Sequence, residues 1–88
     1  MYELVKGILD ISRDRDVDVS VAYDMYAQEN GGYTDEVKDA RKVIEKHYFT
    51  IAKCRRAGDN ESIRKLCDLV AEGDVNAIRD FVEEIEKR

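Results

Sequence analysis

The chain has 88 residues, 43% of them apolar and 40% charged, with a formal net charge of −5. That length holds one hydrophobic core, and a domain this small buries only about 60–65% of its unfolded surface, so one marginal domain over residues 1–88 is expected. The composition excludes a disordered acidic tail, and no stretch resembles a secretory signal or approaches the ~20 apolar residues of a membrane span, which predicts a cytoplasmic protein.

Proline is absent and apolar residues recur at spacings of three and four, which predicts an all-α, compact bundle of about five helices. The first covers about Tyr2 to Arg13, with Leu4, Val5, Ile8, Leu9 and Ile11 facing inward. Gly7 inside it costs ~1 kcal/mol relative to alanine, making it the frailest of the set. The polar run from Arg13 to Asp16 breaks the pattern, and the Asp18 side chain is placed to cap a second helix carrying Val21, Ala22, Met25 and Tyr26. Asn30-Gly31-Gly32 ends that helix, and Thr34 caps the next, with Asp35 and Glu36 against its positive end.

The third helix is read as the longest, about 35–57, with Val37, Ala40, Ile44, His47, Ile51 and Cys54 along one stripe. Gly58 stops it. The remainder repeats at a period of 15: Gly58-Asp59 aligns with Gly73-Asp74, Ile63-Arg64 with Ile78-Arg79, Leu66 with Phe81 and Val70 with Ile85. Each Gly-Asp pair closes one helix and opens another, which predicts a C-terminal antiparallel hairpin over about 60–87 with Leu66, Val70, Ile78, Phe81, Val82 and Ile85 as core. Residues 57–77 resemble one ankyrin unit in helix length and in the Gly-Asp-Val-Asn-Ala ending. They lack the Thr-Pro-Leu-His opening, and a single repeat cannot bury its own faces, so local hairpin chemistry accounts for the likeness.

Few residues carry chemistry. Cys54 and Cys67 lie at unequal distances from the Gly58 turn and read as buried, reduced thiols. His47 is the only histidine, and Cys54 stands seven residues along the same stripe, about 10 Å away and beyond hydrogen-bond reach. Asp14, Asp16 and Asp18 resemble the first three ligands of an EF-hand loop, but Val19 and Met25 occupy the positions of its turn glycine and closing glutamate. Neither a Gly-rich phosphate loop followed by Lys-Ser or Lys-Thr nor a Gly-flanked serine nucleophile is present. The sequence therefore points to no enzyme, cofactor or metal.

Charge is segregated. Residues 1–37 hold nine acids and three bases, residues 38–65 four acids and nine bases, and residues 66–88 seven acids and three bases. Within the basic centre, Lys38, Lys42, Glu45, Phe49, Lys53 and Arg56 fall on one helical face, opposite the Val37–Ile44–Ile51 stripe. Lys38, Lys42, Phe49, Lys53 and Arg56 are the candidate partner-binding residues. The structural alternative has Phe49 packed under the first or second helix or in a dimer seam.

The functional expectation is a small interaction protein, a regulator, adaptor or inhibitor of the kind phages and mobile elements encode, which binds a protein partner without catalysis. The alternative is helix-turn-helix-like DNA binding through the second and third helices. Against it, Asp35 and Glu36 occupy the turn that would approach phosphates. Self-association to a homodimer is compatible with either.

Overall fold

Three- and four-residue apolar spacing yields helices throughout, and the computed structural model, which describes residues 1–88, contains six where the sequence predicts about five. They are α1 (Tyr2–Arg15), α2 (Val19–Glu29), α3 (Asp35–Lys46), α4 (Tyr48–Arg56), α5 (Asn60–Glu72) and α6 (Val75–Glu86). Eighteen apolar residues are buried in one core.

Helix α1 runs two residues beyond its predicted end. Arg13 and Arg15 lie in its last turn, where cations suit the negative end of the helix dipole. Asp16 then turns left-handed at φ 52°, and the Ser12 hydroxyl donates to the Val17 carbonyl at 2.6 Å. Val5, Ile8 and Leu9 are buried as expected, Tyr2 joins them, and Leu4 and Ile11 lie half-buried at the edge. The helix packs on α2, α3 and α5, which makes it the central element.

Gly7 has a packing role that its helix propensity does not reveal. A methyl group there would sit 2.5 Å from a ring carbon of Tyr26 on α2, so the missing side chain is what lets the tyrosine ring close on α1. Ala22, Tyr23 and Ala27 form the buried side of α2, with Met25 and Tyr26 half-buried and Val21 exposed. Asp18 occupies the cap position of α2, but its side chain makes no capping hydrogen bond, contrary to expectation. Thr34 does cap α3, accepting from the Val37 amide at 3.3 Å.

The expected helix over 35–57 is two helices. The hydrogen-bond ladder runs to the His47 amide on the Val43 carbonyl and resumes with the Ile51 amide on the His47 carbonyl, while His47 itself sits at φ −117°, ψ 29°. Tyr48, Phe49 and Thr50 are aromatic or β-branched and contribute little to hold the helix straight. A straight rod over 35–57 would be about 34 Å long at 1.5 Å per residue, matching the whole molecule's 35 Å long axis. The break instead lets α3 lean on α1 while α4 turns to α5 and α6. Helix α1, with 14 residues, is consequently the longest.

The predicted C-terminal hairpin is present as α5 and α6. Gly73 adopts φ 76° and closes α5, after which the Asp74 side chain accepts from the Ala77 amide at 3.1 Å. Gly58 and Asp59 repeat the arrangement one helix earlier, at φ 71° with the Ser62 amide 3.1 Å from the Asp59 carboxylate. Lys65 stands over the Phe81 ring at 4.7 Å, eight residues either side of Gly73, which marks the antiparallel pairing. Leu66, Phe81 and Ile85 are buried, and Val70, Ile78 and Val82 pack against the core's rim.

Candidate partner-binding face

Helix α4 presents two unlike sides. Thr50, Ile51 and Cys54 are buried, which fixes the helix against the core. On its outer side Phe49 is 84% exposed and Tyr48 47% exposed, with their rings 5.6 Å apart edge to face. Phe49 is thus neither under α1 nor under α2. Two adjacent aromatics in solvent on a helix anchored from below form an apolar projection.

The five candidate residues have different surroundings. Lys38 is exposed on α3. Lys42, also exposed, borders a recess of about 330 Å³ with His47, Val70 and Ile78. Arg56 borders two other recesses, between α4 and α1. Lys53 is committed within the fold: its ammonium donates to the Glu86 carbonyl at 3.3 Å and the Arg88 carbonyl at 2.9 Å. It therefore caps the negative end of α6 with a cation from α4.

Tyr48, Arg13, Arg55 and Lys6 join the neighbourhood of Arg56 and were not singled out in the sequence. Tyr48, Arg13 and Arg55 share with Arg56 the wall of a cleft of about 220 Å³, whose apolar floor includes Leu9, Val19 and Ile51. Beside it, a polar recess of about 430 Å³ is lined by Lys6, Asp10, Arg13, Arg55 and Arg56. Asp10 accepts from Lys6 at 2.9 Å and from Arg55 at 3.1 Å. Burial pushes the Asp10 carboxyl up, but these hydrogen bonds outweigh it and hold the group below its ordinary value. The signal available in the sequence was the four-residue spacing of Lys6 and Asp10; the arrival of Arg55, 45 positions later, depends on tertiary packing.

The other singled-out groups serve the fold. Cys54 and Cys67 are free and buried, and burial pushes the Cys67 thiol up to about 11 and the Cys54 thiol in the same direction. A thiol so raised stays protonated near neutral pH and is a poor nucleophile. His47 is half-buried at the α3–α4 break, where desolvation, aided by the charge of Lys46, lowers its pKa. Asp14 pairs with Arg13 at 3.0 Å, Asp16 ends α1 and Asp18 precedes α2, so the acidic triplet is divided among three local tasks. No helix is long and apolar enough to cross a membrane. No family model matches the chain, and no match was found among curated proteins or solved structures.

Proposed function

We propose that this chain is a non-enzymatic interaction protein, a small regulator, adaptor or inhibitor that works by covering a surface of a protein partner with the outer side of α4. The observation that carries this reading is the Tyr48–Phe49 pair, exposed and edge to face on a helix whose other side is locked into the core. Aromatic and arginine side chains dominate binding energy at protein interfaces, and aromatic rings have few rotatable bonds to fix on docking. Arg56 adds a cation with no acidic partner of its own, and Lys38 and Lys42 are further exposed cations on α3.

A protein partner is favoured over duplex DNA by the state of α3. Arg41 is drawn back over the Tyr23 ring at 4.7 Å and bonded to Glu45 at 2.7 Å, while Asp35 and Glu36 occupy the exposed first turn. Phosphates would meet carboxylates there first.

The test is affinity capture from the native host with wild type and Phe49→Ala, after circular dichroism has shown equal helicity. Loss of one captured protein by Phe49→Ala supports the reading. Undiminished capture, or steeply salt-dependent binding to duplex DNA in its place, would sink it. Lys53 is unsuitable for this test because its substitution would also uncap α6. Arg56→Glu is the appropriate charge variant.

A further inference from the structure

The polar recess beside the aromatic pair is the strongest unassigned feature of the surface. Lys6, Arg13, Arg55 and Arg56 line it together with one carboxylate, Asp10, and with Asn60 at the start of α5; counting Asp14, which pairs with Arg13 at 3.0 Å, four cations against two carboxylates leave a net +2. Asp10 already serves three of them, at 2.9 Å from Lys6, 3.1 Å from Arg55 and 3.4 Å from Arg13. Arg56 makes no ion pair within the chain.

Arg55 is the best placed of the four. Its side chain is only 20% exposed, and Asp10 holds one end of its guanidinium. A guanidinium carries five N–H donors in a fixed plane, so the remaining ones are pre-aimed and need little ordering to meet a second carboxylate. Like charges gathered in a recess repel one another, and an incoming anion relieves that repulsion.

The recess also adjoins the apolar cleft floored by Leu9, Val19 and Ile51, and the two share Arg13, Arg55 and Arg56 as a common wall. We propose that this double site takes an acidic side chain of a partner polypeptide in the recess and an adjacent apolar side chain of the same segment in the cleft. This assignment rests on the protein-binding reading and names the chemistry of the segment. A nucleic acid fits the site less well, since Asp14 already holds Arg13 of the shared wall at 3.0 Å and would oppose a second phosphate there.

The experiment is an amide chemical-shift titration of the ¹⁵N-labelled chain with a blocked pentapeptide, Gly-Glu-Leu-Glu-Gly, at constant ionic strength. Saturable shifts centred on Lys6, Arg13, Arg55 and Asn60 are expected. Arg56→Gln, at an exposed position without an ion pair, should weaken binding about tenfold, the loss of one hydrogen bond between charged groups. Arg55→Gln should abolish binding, with Arg56→Gln keeping the test valid if loss of the Asp10 contact unfolds that variant.

Shifts reproduced by sodium chloride alone, equal binding of the peptide with glutamine for both glutamates, or tighter binding of a phosphate-bearing oligonucleotide of the same charge would each overturn the proposal. If the peptide fails to bind while Phe49-dependent capture of a partner persists, only the recess assignment falls; peptide binding without Phe49-dependent capture removes the α4 reading instead.

Discussion

Helices α1 to α3 and helices α4 to α6 use the same helical material in different ways. The first three contribute eleven of the eighteen buried apolar residues, gathered around α1, and the Tyr26 ring fills the space that a methyl group on Gly7 would need. The last three bury fewer apolar groups, and polar clasps join their ends. Asp59 holds the start of α5 and the Arg88 guanidinium at 2.6 Å, and Lys53 holds the last carbonyls of α6. Close apolar packing is insensitive to pH and intolerant of added volume, whereas charged clasps have the opposite weaknesses. The two halves should therefore fail under different insults.

The largest contrast is expected between two isoleucines. Ile44→Ala, fully buried on α3, should cost about 2–5 kcal/mol in urea unfolding, the range for opening a cavity in a packed core. Ile78→Ala, half-buried on α6, should cost distinctly less. Equal losses would mean that the halves share one core more evenly than their burial indicates.

Gly7→Ala sharpens the comparison because propensity and packing oppose each other there. Alanine gains ~1 kcal/mol as a helix former, but overpacking typically costs about 1–3 kcal/mol. A net loss is expected in wild type, turning to a gain when Tyr26→Ala removes the ring that the added methyl would meet at 2.5 Å. A gain in the wild-type background would show that the contact is soft.

The clasp at Asp59 should appear in pH dependence. Hydrogen bonds from Ser62 and from Arg88 lower its carboxyl from an ordinary 3.8 to about 2. Because the folded value lies below the unfolded one, the group's contribution is fully present above about pH 4 and is lost as pH falls toward 2. In thermal melts, Asp59→Asn should flatten that part of the acid limb, and an unchanged slope would remove the clasp from the account. The smallest effect on stability belongs to Phe49→Ala, which should fall within about 0.5 kcal/mol of wild type, since its exposed ring can affect a partner without holding the fold.

Much of this architecture was legible because helix punctuation is local. Gly73-Asp74 and Gly58-Asp59 announce a left-handed stop followed by a capping carboxylate, and the structure uses both pairs that way. The break at His47 was hidden for a physical reason: Val37, Ala40, Ile44, Ile51 and Cys54 stay buried on both sides of it, so the apolar period passes through without a phase slip. Asp18 shows the converse, a residue type suited to capping whose side chain makes no cap bond. Of the candidate face, the sequence placed Phe49 opposite the buried stripe, and it is exposed. The partners of Lys53 and the company Arg56 keeps come from α6 and α1, and no helical period encodes them.

The lysine that closes α6 comes from the helix that carries the aromatic pair. End turns of helices ordinarily fray in isolation, exchanging their amides quickly whatever happens elsewhere. Here the carbonyls of Glu86 and Arg88 are tethered to Lys53, one turn from Phe49. Lys53 thereby ties α4 to the end of α6, and Lys53→Ala should speed hydrogen exchange in that last turn.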